Sequence, residues 1–420
     1  MQAEIIAVGS ELTSGHVLNT NSAWLAQQVE DYGLKVVSHV TVGDAADQLE
    51  RSLRLALDRA DWVIVTGGLG PTYDDITKEV AAKVWGQPLL LSDEAMAHID
   101  NFFKDRSQKA TANNKKQAMV PKGAEILANP SGLAPGIWLK NEEATLVLLP
   151  GPPHEMKATF EASLAPRLAA TAQSAIRRHA LHFYGIGEAE VDSRLDDILP
   201  DNSNPLVAPY AKGGEVELQV TAYGPSDQAA EDLIKPVIQT LIDHFKDYFY
   251  GIDVDHLKYP VSQQLARGKW SMASAESCTG GLISKWFTDI PGSSAYFAGG
   301  ICTYTEKAKQ YFLQVQADTL AKYGAVSAQT AAEMADGARA AFQTDLAIST
   351  TGIAGPGGGS PEKPVGLAYI GLATPTGTFT WHFQANALQT KHRSAVRDAV
   401  GRAALFHLFE YLKQNPEALS

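Results

Sequence analysis

The chain has 420 residues, too many for one ordinary core, and that length predicts roughly two to three domains. With 45% hydrophobic and 20% charged residues it has the composition of a globular protein, not a disordered or fibrous one. A formal net charge of −12 without a dense basic run argues against contact with nucleic-acid phosphates, and no apolar stretch reaches the roughly 18 residues of a membrane span.

The first segment alternates apolar strands with helices. Ala3 to Val8, Lys35 to Val42, Asp61 to Thr66 and Ala144 to Leu149 read as strands; Asn21 to Tyr32 and Asp47 to Ala60 read as helices, with another from about His154. Such a rhythm predicts a parallel sheet covered on both faces, with ligands at the carboxyl ends of the strands. Polar clusters fall at those ends: Gly9-Ser10-Glu11, the loop Gly67 to Asp75, and Pro150-Gly151. Asp74 and Asp75 are adjacent carboxylates that suit a hard divalent cation bridging a diphosphate, with Glu11 as a third ligand. They also suit a helix cap, and spacing alone favours the cap.

From about Arg177 the pattern changes. Arg178 to Tyr184 is an expected strand, Gly187 to Leu199 a helix, Glu215 to Ala222 an alternating strand and Ser226 to Phe249 a long helix, together a small α+β unit wet on one sheet face. His179 and His182 fall on opposite faces of a strand and make no metal pair.

Near Gly251 the alternation resumes. A helix is expected from Val261, a strand over 270–275, a helix over 281–288, a strand from Tyr296 to Tyr304 and a helix from Thr305. Ser327 reads as the N-cap of an Ala-rich helix to Phe342. The strand Leu346 to Thr350 then runs into a glycine-rich loop ending at Ser360. A hairpin, Leu367 to Ala373 and Thr378 to Phe383, precedes a terminal helix that buries Val396, Val400, Leu405, Leu408, Phe409 and Leu412.

The chemistry of this third segment centres on Ala275-Glu276-Ser277-Cys278-Thr279-Gly280-Gly281, a polar bend between strand and helix. A bend of that kind lifts a side chain toward the free amides of the helix's first turn, which stabilise a developing oxyanion. Ser277 and Cys278 are both nucleophile candidates. No Ser-His-Asp set is evident, so a lysine, Lys309, must take the serine proton, and it does so only when uncharged. Burial, or a cationic neighbour such as Arg393, would lower its pKa. The loop Thr351 to Gly359 lacks both the P-loop and the dinucleotide-binding glycine spacing, and reads either as a generic phosphate cradle or as glycines that only permit tight turns. Cys278 and Cys302 form no disulfide framework or metal quartet, and the first residues read as a strand and not a leader, so the expected location is the cytoplasm.

These stretches, with Pro291-Gly-Ser-Ser-Ala, Thr303-Tyr304, Gly324-Ala-Val-Ser327, Thr351-Gly-Ile-Ala-Gly-Pro and Lys363-Pro-Val-Gly, resemble the C-terminal domain of the CinA family, the nicotinamide mononucleotide amidohydrolases. Gly9-Ser-Glu11, Asn19-Thr-Asn21, Thr66 to Thr72 with Asp74-Asp75, and Pro150 to Met156 resemble the family's N-terminal domain, which is similar to molybdopterin-binding proteins. The resemblance implies two three-layer α/β/α domains, 1–172 and 253–420, joined by a small α+β domain, 173–252. It implies hydrolysis of the nicotinamide mononucleotide carboxamide to nicotinate mononucleotide and ammonia, with no cofactor. Ser277 matches the nucleophile, with Tyr304 and Lys309 as its proton partners. Substrate would be held in that domain by Cys278, Thr279, Gly280, Thr351, Gly352, Gly355 and Arg393. In the first domain it would be held by Glu11, Asn21, Gly67, Gly68 and Gly151, with Asp74 and Asp75 holding a divalent metal ion for ADP-ribose pyrophosphatase activity. The expected partners are small-molecule pyridine nucleotides and a second copy of the chain as a homodimer, with neither nucleic acid nor membrane. The competing reading is a non-catalytic nucleotide- or partner-binding protein linked to competence or DNA damage.

Overall fold

The computed structural model describes residues 1–105, 113–171, 175–199, 204–212 and 214–418, so the expected boundary between 172 and 173 lies outside the described residues. Contacts divide the chain into two compact units, one formed by Met1–Arg178 with Thr221–Ile234 and the other by His179–Val220 with Lys235–Ser420.

In the first unit six strands form one sheet in the order Lys35–Val42, Gln2–Val8, Trp62–Thr66, Thr145–Leu149, Gly136–Lys140, Glu125–Leu127. The first four run parallel and the last two join antiparallel. Alternate residues of one strand feed opposite cores. Ala3 and Ile5 pack with Leu25, Val29 and Phe160, whereas Ile6 and Val8 pack with Leu49, Leu53 and Val80. Helices on both faces are why the central strands Trp62–Thr66 and Thr145–Leu149 are buried at every position. The stretch between Gly86 and Asn141, to which sequence reasoning assigned nothing, supplies a helix, Asp93–Asp105, and short strands, among them Leu89–Leu91 paired with Met119–Pro121.

The second unit is built on a five-stranded sheet in the order Phe297–Cys302, Met272–Glu276, Leu346–Gly352, Leu367–Thr374, Gly377–Gln384. Its first three strands are parallel, and the final hairpin is antiparallel. On one face Met272, Leu346 and Ile348 meet Val261, Leu265, Leu405 and Leu408. On the other, Ala273, Ala275 and Ala347 meet Leu313, Met334 and Ala338. Every apolar residue expected on the inner side of the terminal helix Arg393–Gln414 is buried. Ser327 caps Ala328–Phe342 by accepting from the Thr330 amide. Arg402 anchors the terminal helix through ion pairs with Glu215 at 2.9 Å and Asp398 at 2.6 Å.

A four-stranded sheet in the order Leu206–Lys212, Glu215–Gly224, Ala175–Tyr184, Phe249–Ile252 accounts for the middle of the chain. Its helix spans Asp227–His244 and stops short of the expected Phe249. Phe249 instead starts an edge strand opposite Phe183, where its ring packs 5.7 Å from that of Phe183. Among the described residues no helix is long and apolar enough to cross a membrane.

Candidate active site

Parallel register places Glu276 beside both Cys302 and Thr350, so Ser277 and Thr303, which follow two neighbouring strands, lie level with Thr351 near the end of the third. Glu276 is fully buried, and its carboxylate turns toward the next helix, Leu282–Thr288. It accepts from the Ser284 amide at 2.8 Å, the Ser284 hydroxyl at 2.7 Å and the Ile283 amide at 3.2 Å. The expectation that the helix's own first-turn amides face a ligand is therefore corrected: Glu276 occupies them. Glu276→Ala strips these buried donors of their acceptor and is expected to cost about 3 kcal/mol in denaturant unfolding.

The free donors lie one step earlier. Among the described residues, the amides of Cys278, Thr279, Gly280 and Gly281 donate to no backbone carbonyl, and those of Cys278 and Thr279 face the Cys278 sulfur, which leaves Gly280 and Gly281. Gly280 and Gly281 hold left-handed φ values of 62° and 90°, which a side chain would resist. The turn is pinned by the Ser277 amide to Thr350 O at 2.9 Å and by the Thr279 and Thr350 hydroxyls, 2.7 Å apart.

Ser277 Oγ lies 2.8 Å from Lys309 Nζ, and that amine also donates to Thr303 O at 2.6 Å. Lys309 projects from the helix Glu306–Leu313, whose N-cap Thr305 accepts from the Ala308 amide. With 1% of its surface exposed, Lys309 is lowered from its ordinary 10.5 to about 8 by burial, against the opposing influence of Cys278 and Glu306. Desolvation alone therefore does what the sequence reading shared with Arg393. That residue is engaged elsewhere, donating to Gly355 O at 2.7 Å and to the Tyr304 hydroxyl at 2.5 Å.

The other expected residues divide clearly. Cys278 packs among Ala354, Ala368, Ala385, Val396 and Val400, and burial pushes its thiol up to about 12, so it is a core side chain and not a thiolate nucleophile. Thr351 donates to Ala325 O at 2.6 Å, tying its strand end to the turn before Ser327. Gly352 lets strands approach, since a Cβ there would stand 2.6 Å from the Ala368 Cβ. Gly355 offers its carbonyl to Arg393. Tyr304 is 62% exposed, and its hydroxyl bonds Arg393 and neither Ser277 nor Lys309. Sequence reasoning missed Arg397, whose guanidinium donates to Thr279 O at 2.7 and 3.2 Å. Its place one helical turn after Arg393 was the available signal.

The first unit carries a separate pocket lined by Glu11, Gly67, Gly68, Asp74, Asp75 and Gly151. Asn21 ties its walls by donating to Gly151 O at 2.8 Å and the Thr66 hydroxyl at 3.1 Å, and among the described residues its buried Oδ1 has no partner. Gly67 has φ 106°, and a Cβ there would meet Val8 O at 2.3 Å. The capping reading of the two aspartates is not what forms: the helix Thr77–Trp85 has Ile76 at its N-cap and no side-chain cap. Instead Thr72 Oγ1 lies 2.5 Å from both Asp74 Oδ1 and Asp75 Oδ2, and the Thr72 bond holds the Asp74 carboxyl below the usual range. Lys116 Nζ fixes this loop through Thr72 O at 2.8 Å and Asp75 O at 2.6 Å. Among the described residues no group of three or more His, Cys, Asp or Glu gathers to hold a metal, so Glu11 does not complete a protein-only cage. Two carboxylates fit magnesium, which takes one or two from a protein and fills its shell with phosphate oxygens and water.

Residues 4–170 match a probable molybdopterin binding domain, 178–251 the damage-inducible protein CinA KH domain, and 254–412 the CinA C-terminal domain. The "Putative competence-damage inducible protein" of Caldanaerobacter subterraneus subsp. tengcongensis is 41% identical over 414 residues, 99% of this chain and 98% of that relative. A "CinA-like protein" of Dictyoglomus thermophilum is 42% identical over 372 residues, 89% and 90% of the two chains. Among solved structures, a CinA protein "with unknown function" from Thermoplasma acidophilum is 33% identical, covering 40% of this chain and 99% of its own, with a TM-score of 0.38.

Proposed function

Because the chain belongs to the CinA family of competence/damage-inducible proteins along nearly its whole length, we propose that its second unit is a serine amidohydrolase that converts nicotinamide mononucleotide to nicotinate mononucleotide and ammonia in pyridine nucleotide salvage. The observation that carries this reading is the 2.8 Å approach of Ser277 Oγ to the buried amine of Lys309. Neutral Lys309 takes the hydroxyl proton as Ser277 Oγ attacks the carboxamide carbon. Negative charge then gathers on the carboxamide oxygen, and the amides of Gly280 and Gly281, which donate to no backbone carbonyl among the described residues, are assigned to receive it. Ammonia leaves with the proton that Lys309 returns to it, and water releases the acyl group from Ser277. Thr279, Thr351, Arg393 and the backbone at Cys278, Gly280, Gly352 and Gly355 are assigned to substrate. Ammonia release from nicotinamide mononucleotide, followed by mass analysis of the nicotinate product, tests the assignment; a pure enzyme that leaves this substrate intact refutes it.

For the first unit the favouring observation is that Asp74, Asp75 and Glu11 line one pocket with the glycines of the strand ends. We assign to it metal-dependent ADP-ribose pyrophosphatase activity, with Gly67, Gly68 and Gly151 admitting the diphosphate and Asn21 holding the walls. A divalent cation bound there supplies charge neutralisation at the diphosphate. Chelation is expected to abolish ADP-ribose cleavage and leave ammonia release untouched, measured on one preparation. Cleavage that survives chelation, or survives Asp74→Asn and Asp75→Asn, removes this second activity. The competing reading, a non-catalytic competence or damage protein, rests on the relatives' names and predicts salt-sensitive duplex binding without turnover. A cytoplasmic homodimer completes the proposal, and sedimentation of the full chain tests the stoichiometry.

A further inference from the structure

The terminal helix sends two guanidinium groups to the site one turn apart, and neither has an acidic partner within ion-pair distance among the described residues. Arg397 spends both of its hydrogen bonds on one acceptor, Thr279 O, at 2.7 and 3.2 Å. Its Nη2 would also stand 3.3 Å from a Cβ on Gly280, so the guanidinium lies against this turn and not out in solvent. Thr279 O and the Gly280 N–H belong to the same peptide unit. A cation hydrogen-bonded to the carbonyl draws electron density from that unit and makes its N–H a stronger donor, because bonded dipoles polarise one another. Among the described residues the Gly280 N–H donates to no backbone carbonyl, and it sits three residues after Ser277.

Resting on the amidohydrolase reading for its substrate but not for its geometry, we propose that Arg397 is a positioning residue: it fixes and polarises the Thr279–Gly280 peptide so that the Gly280 amide receives the oxyanion formed when Ser277 attacks. Arg397 touches no reacting atom. Its effect falls on the rate of bond formation at Ser277 and not on substrate affinity, since an oxyanion donor acts on charge that exists only in the transition state.

Two reactions of the full-length protein test this. In one, nicotinamide mononucleotide turnover is resolved into kcat and KM. In the other, Ser277 is phosphorylated by diisopropyl fluorophosphate: the Oγ–P bond forms, fluoride leaves, the hydroxyl proton passes to Lys309, and intact mass follows the diisopropylphosphoryl product. Arg397→Met is expected to slow both by about tenfold or more, with KM within about threefold and the pH profile unmoved. Arg397→Lys, which keeps the charge and one donor, recovers part of the rate, and added guanidinium ion recovers part of it in Arg397→Met. A merely structural role predicts a lowered melting temperature with neither rescue. Wild-type rates in Arg397→Met, or a change in KM alone, overturn the proposal. Phosphorylation that depends on Arg397 in a protein inert toward nicotinamide mononucleotide removes the substrate reading and leaves Arg397 in its role. A wild-type Ser277 unreactive toward both reagents overturns the two together.

Discussion

Ser277→Ala is expected to lower ammonia release from nicotinamide mononucleotide by on the order of 10⁴-fold or more, the scale seen when a serine nucleophile is deleted. The loss should appear in kcat, because Oγ is the attacking atom. Cys278→Ala is the informative contrast. The thiol is packed among alanines and valines and is pushed up to about 12, so almost none of it is thiolate at neutral pH. Its removal leaves a small cavity, expected to cost about 1 kcal/mol of stability, and leaves activity within about threefold. The opposite pattern, an inert Cys278→Ala and an active Ser277→Ala, moves the chemistry to the sulfur.

The second large effect belongs to Lys309. Lys309→Met removes the proton acceptor and is expected to reduce kcat by about 10³-fold or more. Lys309→Arg is expected to fare no better, since a guanidinium stays protonated and cannot accept. In the unaltered protein the working form is the neutral amine. With its pKa at about 8, roughly one Lys309 in ten is neutral at pH 7, so kcat/KM should rise about tenfold per pH unit up to about 8 and then level. Stability carries the same signature with a definite sign. A lysine whose folded pKa is depressed disfavours the fold while protonated, and unfolding takes up a proton between about 8 and its ordinary 10.5. Compared with Lys309→Met, the wild-type protein should therefore gain stability as pH rises through that window, by about 3 kcal/mol when complete. A flat difference across the window contradicts the buried, lowered amine.

Periodicity made much of the fold legible. The helix Ala328–Phe342 opens on a serine cap and the terminal helix buries its expected apolar side, both of which are local and therefore readable from spacing. Between Gly86 and Asn141 the strands Met119–Pro121 and Glu125–Leu127 carry too few residues to show a period, whereas the helix Asp93–Asp105 had its signal in Ala95, Met96, Ile99, Phe102 and Phe103 at helical spacing and was missed. The long helix was overextended for a related reason. Phe245 and Phe249 keep helical spacing, and only the pairing of Phe249 with Phe183 shows that the second belongs to a strand.

At the sites the types of residue were legible and their partners were not. Lys309 could be proposed as a base because no histidine had an acid, but its burial, which sets its pKa, is a tertiary fact. Glu276 stood in the motif without a role, and Arg397 had none, because one reaches into the next helix and the other crosses 118 positions to a backbone carbonyl. Carbonyl acceptors leave no trace in a sequence. The aspartates at 74 and 75 show the converse error: their position before a helix suggests a cap, while the chain folds Thr72 back onto both of them.

The account depends most on the protonation of one amine, and that can be observed without turnover. Heteronuclear NMR titration of selectively labelled lysine, with the Lys309 resonance assigned by its absence in Lys309→Met, reports that amine alone. A midpoint near 8, matching the rise in kcat/KM, is the predicted result. A midpoint near its ordinary 10.5 would mean the amine stays charged wherever the protein works, and Ser277 would have no base.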